Sequence, residues 1–189
     1  MEPHLVTTPL LSSVLHNPIA TRLSVLPDRR AQATVAEAFP RLADEPFLFH
    51  IARRWYKNFL EVLAIWEYLH RLGDPPHLVL VGAPDASMHN WLQQPPHLAP
   101  WLHVLEAASD DLVVALYNRA AALLYPSHAE GFGWPILEAL ACGCPLLTTA
   151  RAPMTEVGGE AASYIPPMPA PPAPLEPHDQ RALALQECR

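Results

Sequence analysis

Apolar residues fall into short blocks separated by polar, glycine-bearing and proline-bearing breaks. The first clear block, residues 46–51, is almost continuously apolar and predicts a buried strand. After it, Phe59, Val62, Leu63, Trp66 and Leu69 recur at helical spacing. They predict a helix over 59–72, which Gly73 closes ahead of Pro75 and Pro76. Asn58 with Glu61 three residues on reads as a variant capping box opening that helix. Residues 77–82 predict a second strand ending in glycine, 87–93 a short helix, and 101–105 a third strand. Ser109 caps a helix over 110–119 whose first turn holds two acids, where the helix dipole favours them. There follow a strand at 121–125, a helix at 134–142 stopping at Gly143, a strand at 145–148, a helical turn near Thr155 and a strand at 161–165. Residues 1–45 carry only a short strand at 23–26 and a helix at 32–39, with Asp28-Arg29-Arg30 reading as a charged break between them.

Strands alternating with helices at this spacing imply βαβ units, hence an α/β fold with a parallel sheet flanked by helices. Ligands of such sheets bind beyond the carboxyl ends of the strands. The loops after Ile51, Gly82, Leu105, Tyr125 and Thr148 should therefore ring one crevice. No period of 20–50 residues recurs, which excludes a repeat architecture.

Composition narrows the partners. The 189 residues suffice for one core, and with 50% apolar and 16% charged residues the chain is globular. A formal net charge of −7 argues against nucleic acid as partner. The ten histidines show no metal-ligand spacing and read as surface or loop residues. Cys142, Cys144 and Cys188 make an odd count without zinc spacing, which suits free thiols in a reducing compartment. With no signal-like start and no apolar run near ~18 residues, the expected location is the cytoplasm, with a peripheral membrane contact left open. Of 23 prolines, seven fall in residues 166–177, which predicts an extended tail. The chain thus divides into an N-terminal segment (1–45), an α/β domain (46–165) and a Pro-rich tail (166–189).

The candidate chemistry lies in Glu130-Gly131-Phe132-Gly133-Trp134-Pro135-Ile136-Leu137-Glu138. A strand precedes it and a helix begins within it, so its backbone amides and the helix dipole favour a bound anion. Glu130 lies in the loop and Glu138 about one turn into the helix. Carboxylates accept hydrogen bonds from sugar hydroxyls, while the Phe132 and Gly133 amides can donate to phosphate. A nucleotide sugar offers both kinds of group. For two isolated glutamates the plainer reading is a solvated loop acid and an acid that complements the dipole.

The wider run decides between them. Leu116-Tyr117-Asn118, Tyr125-Pro126-Ser127, the Glu130–Glu138 stretch with Ala139, Ala141, Gly143 and Pro145, and Glu156–Ala162 together closely resemble the C-terminal domain of family 4 retaining glycosyltransferases. These are GT-B enzymes with a Glu-x7-Glu motif. The resemblance is clearest over 109–165 and more diffuse over 46–105. It implies a Rossmann-like domain corresponding to the C-terminal half of a GT-B enzyme, with a nucleotide sugar as co-substrate and no cofactor.

It also implies roles. Arg53 and Lys57 match the pair that grips the donor diphosphate, although Ala52 replaces the usual glycine and crowds the phosphate. Phe132 and Gly133 would bind diphosphate and, with Glu130 and Gly131, the transferred sugar. Glu130 takes the catalytic place. Gly82, Val104, Leu105 and Glu138 would bind the nucleoside, Glu138 through the ribose. Trp55 and Trp134 could stack on a base or sugar, or simply pack in a core or interface. No Asp-x-Asp motif occurs, and two cations with a helix N-terminus can neutralise a diphosphate, so the expected mechanism is metal-independent.

GT-B enzymes bind the acceptor mainly on an N-terminal domain, and residues 1–45 are too few to form one. Two function classes follow. The first is a retaining glycosyltransferase, or its donor subunit, acting on an unknown saccharide, lipid-linked or small-molecule acceptor. It would work with a separate N-terminal half or as a homo-oligomer. The second is a catalytically idle module that binds a nucleotide sugar or a partner. A dinucleotide oxidoreductase is disfavoured, because Ile136 breaks the only G-x-G start and no G-x-G-x-x-G occurs.

Overall fold

The computed structural model describes residues 19–51, 57–73, 76–83 and 98–167. Six strands form one sheet: β1 (Phe47–Ile51), β2 (His77–Val81), β3 (Leu102–Leu105), β4 (Ala122–Tyr125), β5 (Leu146–Thr149) and β6 (Ser163–Ile165). Their order is β3-β2-β1-β4-β5-β6 and every pairing is parallel. This is the expected α/β, Rossmann-like sheet. Parallel strands are buried on both faces, which is why they stood out as apolar runs. The order reverses between β1 and β4, and such a reversal opens a crevice beyond the strand ends.

Helices cover both faces: α1 (Asp28–Ala38), α2 (Phe59–Leu72), α3 (Asp110–Arg119), α4 (Trp134–Ala141) and the short α5 (Met154–Gly158). On one face, Phe47, Phe49, Val79, Val81, Leu123 and Tyr125 pack with Val35, Leu116, Tyr117, Ile136 and Met154. On the other, Leu48, Leu78, Leu80 and Leu124 pack with Val62, Leu63, Trp66 and Leu98. Period-two alternation along each strand thus feeds two cores.

Three local expectations are corrected. The first concerns residues 23–26, which do not pair as a strand. Leu26 N–H donates to Asn118 Oδ1 at 2.7 Å, and Leu23 and Leu26 pack on the core from an irregular segment. Second, Asp28-Arg29-Arg30 is the first turn of α1 instead of a break, and Arg119 bonds Asp28 at 2.6 Å. Third, Asn58 does not cap α2 through its side chain. It adopts φ 57°, a left-handed conformation that asparagine tolerates better than most residues. Expectations for 1–18, 87–93 and 168–189 lie outside the described residues.

The Ser109 cap is present: its hydroxyl accepts from Leu112 N–H at 3.2 Å. Ser109→Ala should lower stability by about 1 kcal/mol in urea denaturation. An unchanged midpoint would show that the two acids at Asp110 and Asp111 hold the helix start without it.

Cys142 and Cys144 are buried free thiols, and burial pushes them up to about 11 and about 12. They pack as apolar side chains and are poor nucleophiles at neutral pH. No described helix is long and apolar enough to cross a membrane.

Candidate functional site

The β4–α4 loop begins where β4 stops at Tyr125. Three residues of β5 and its exit hold its backbone. Thr148 Oγ1 donates to Tyr125 O at 2.8 Å, Thr149 Oγ1 to Ser127 O at 2.9 Å, and Arg151 to His128 O at 2.9 Å. The loop is therefore fixed before any ligand arrives.

Glu130 is the centre of the site. Its side chain is only 7% exposed, yet it forms a 2.8 Å salt bridge with Lys57, itself 9% exposed at the side chain. Tyr125 OH donates to Glu130 Oε1 at 2.6 Å and Ser127 Oγ at 2.7 Å. Lys57 also donates to the Tyr125 hydroxyl. All three donors described for Glu130 converge on Oε1. Lys57 follows β1 and Glu130 follows β4, so the pair bridges the two strands at which the sheet order reverses. A carboxylate held this way has its geometry set in advance, which is what a group must offer to position a substrate.

Glu138 sits half-buried on α4 and accepts a 2.9 Å hydrogen bond from Tyr117 OH. Tyr117 is fully buried and packs edge-on against Phe49. Burial, reinforced by the Glu138 carboxylate, raises the Tyr117 phenol well above its ordinary range, so it remains a donor at any working pH. No described contact joins Glu138 to the Lys57–Glu130 group.

The turn between the two acids is shaped by Gly133, which precedes α4 at φ 93°. A side chain there would be strained and would press on Ile136. The turn brings the rings of Phe132 and Trp134 to 5.0 Å at 56°. Across the crevice mouth, Gly82 (φ 139°) donates its N–H to Leu105 O at 2.8 Å, tying β2 and β3 together at their ends. Val104 and Leu105 are half-buried beside it. Arg53 and Trp55 lie outside the described residues.

Sequence reasoning missed His50. It is fully buried in β1, with its Nδ1–H donating to Leu124 O at 2.8 Å. That bond selects the tautomer and leaves Nε2 without a partner among the described residues. Burial lowers His50 to about 4, and the Lys57 charge presses the same way. His77 is buried too, bonded to Glu45 and to His103, which lies 2.9 Å away. The assignment of histidines to the surface fails at both positions. Tyr117, Tyr125 and Ser127 entered the sequence reading as part of the family resemblance, with no role given to their hydroxyls. Their hydroxyls hold the two glutamates, and nothing in the local pattern marks that.

The parallel sheet from β1 to β5, the glycine turn opening α4 and the two hydroxyl-anchored glutamates all lie within one stretch of family resemblance. Residues 32–164 match the family model described as glycosyl transferases group 1, and the chain belongs to that family. It is 32% identical to a serotype-specific mannosyltransferase of Escherichia coli over 111 residues, 57% of this chain but 14% of that protein. The chain thus spans about a seventh of that relative's length. Among solved structures it resembles an Anabaena protein in complex with UDP-glucose, with TM-score 0.66, 18% identity, and coverage of 93% of this chain and 47% of that one. It also resembles the C-terminal domain of a group 1 glycosyl transferase from Francisella tularensis, with TM-score 0.61, 20% identity, and coverage of 90% and 87%.

Proposed function

We propose that this chain is the donor-binding half of a retaining, metal-independent GT-B glycosyltransferase of family 4. The carrying observation is the preset Glu130, held by Lys57, Tyr125 and Ser127 where the sheet order reverses. The donor is a nucleoside diphosphate sugar. Lys57 and Arg53 supply charge to the diphosphate, and the Phe132 and Gly133 amides add donors at the start of α4. Glu130 accepts hydroxyls of the transferred sugar, and Glu138 those of the ribose. Gly82, Val104 and Leu105 line the nucleoside end. The Escherichia coli relative suggests mannose as the sugar to try first.

Lys57 has two duties in this reading. Its ammonium is shared between a carboxylate and a phenol. A diphosphate competes for the same cation, so donor binding loosens the grip on Glu130 as the sugar arrives to take up that carboxylate. Transfer needs a second wall to hold the acceptor ~3–3.5 Å from the anomeric carbon and to exclude water. That wall would come from an N-terminal GT-B half, on this polypeptide or a partner, in the cytoplasm or at a membrane surface.

Calorimetry with UDP, GDP, ADP and their sugars tests the proposal. One nucleoside diphosphate should bind equally with and without chelator, and binding abolished by chelator would reject the metal-free reading. Lys57→Gln should cost about 1.5–3 kcal/mol of affinity for the charge-assisted contact. Glu138→Ala should weaken diphosphate and sugar-bearing ligands alike, and Glu130→Gln only the sugar-bearing one. Equal losses for both variants on both ligands would sink this division. An idle module would show the same binding but no transfer once an N-terminal half is supplied.

A further inference from the structure

Helix α2 is apolar on both sides. Its inner face buries Phe59, Val62, Leu63 and Trp66 against the sheet, and in the whole helix only Glu61, Glu67, His70 and Arg71 are polar or charged. A surface helix ordinarily turns a charged face to solvent. Here Leu60, Tyr68 and Leu72 are 53%, 58% and 66% exposed, three of the five large apolar side chains exposed among the described residues. Ala64 is exposed between them. Positions 60, 64, 68 and 72 are four apart, so they form one ridge along the outer side of the helix, about 18 Å long.

Such a ridge costs free energy in water unless another surface covers it. The residues along it say which surface fits. When α2 is laid antiparallel on a second copy of itself, with the two-fold axis at the level of Trp66, Leu60 meets Leu72 of the second copy. Ala64 meets Tyr68 of the second copy, small against large. Glu61 then faces Arg71 of the second copy, and symmetry makes each match twice. Both charges are available for it. Glu61 has no ion pair among the described residues, and Arg71 makes a loose, exposed 3.7 Å contact with Glu67 on its own helix. Other arrangements fail on charge. A parallel pair sets Glu61 against Glu61 and Arg71 against Arg71. An antiparallel pair slid one turn sets Glu61 against Glu67, or in the other direction carries Leu60 and Glu61 past the end of the second helix. Like charges brought face to face disfavour a contact, and so select the register.

We infer that α2 is a homodimerisation helix. Two copies of this chain pair through an isologous, antiparallel contact along Leu60, Ala64, Tyr68 and Leu72, flanked by two Glu61–Arg71 ion pairs between copies. None of these side chains belongs to the crevice, and the contact does not depend on what the crevice binds.

Sedimentation equilibrium of the full 189-residue chain over a wide concentration range tests this. The expected mass rises with concentration toward twice that of the monomer and stops there. Tyr68→Glu, at an exposed position, should keep the parent's far-UV circular dichroism and weaken association about tenfold or more, since it forces a charge into a desolvated contact. Glu61→Arg and Arg71→Glu should each weaken self-association about tenfold, because each sets like charges face to face. Mixed in equal amounts, these two variants should form a heterodimer with close to parental affinity, as every Arg then meets a Glu. A chain that stays monomeric over the whole range overturns the inference and gives the ridge to another occupant. Association that Tyr68→Glu leaves unchanged overturns it too, placing the contact elsewhere. So does a mixture of the two charge variants that associates no better than either alone.

Discussion

Glu130→Ala costs the fold about 3–5 kcal/mol, the range for removing one partner of a buried ion pair. The substitution leaves the Lys57 ammonium enclosed with its carboxylate gone, and also strips acceptors from Tyr125 and Ser127. The double variant Lys57→Met, Glu130→Leu should recover most of that loss, because replacing both charges removes the desolvation cost instead of exposing it. Urea denaturation of the two single variants and the double checks this. A Glu130→Ala variant within about 1 kcal/mol of the parent would mean that water reaches Lys57 and that the site is wetter than its burial implies.

Acid should unfold this protein through His50. Its folded value of about 4 lies well below the 6.5 of an ordinary histidine. Between those values the folded protein binds fewer protons than the unfolded chain. Stability is therefore complete above pH 6.5 and is lost progressively as pH falls toward 4. At ~1.4 kcal/mol per pKa unit, His50 alone accounts for about 3 kcal/mol of that loss. His103, lowered by burial and by neighbouring His77 and Arg41 charges, pushes in the same direction. His50→Gln keeps a donor for the Leu124 carbonyl but cannot titrate. Its stability should fall much less over this window in denaturation at stepped pH. A parent-like slope in His50→Gln would move the acid sensitivity elsewhere.

The strands were legible because burial on both sheet faces demands apolar runs, and α2 because Phe59, Val62, Leu63 and Trp66 repeat at its period. The start of α1 was not, since its first turn is charged and only Ala31 and Val35 of that helix are buried. The two acids were legible as a spacing, and the family match over 32–164 supports the glycosyltransferase part of the resemblance read there. Their supports were not legible. Lys57 and Glu130 are 73 residues apart, and Tyr117 and Glu138 are 21 apart. Only the strand order brings the first pair together, and no local pattern encodes it. His50 was hidden for the opposite reason: one polar residue in an apolar run looks incidental until the carbonyl of a neighbouring strand explains it.

The hydroxyls of Thr148 and Thr149 and the guanidinium of Arg151 hold three carbonyls of the β4–α4 loop. Anyone testing the proposed donor site by transplanting a loop from a homologue would naturally take residues 126–138. That graft would arrive without its moorings. The heritable unit of the site is two adjacent strand ends taken together, 125–138 with 146–151, and chimeras cut between them should lose function even where every residue facing the ligand has been preserved.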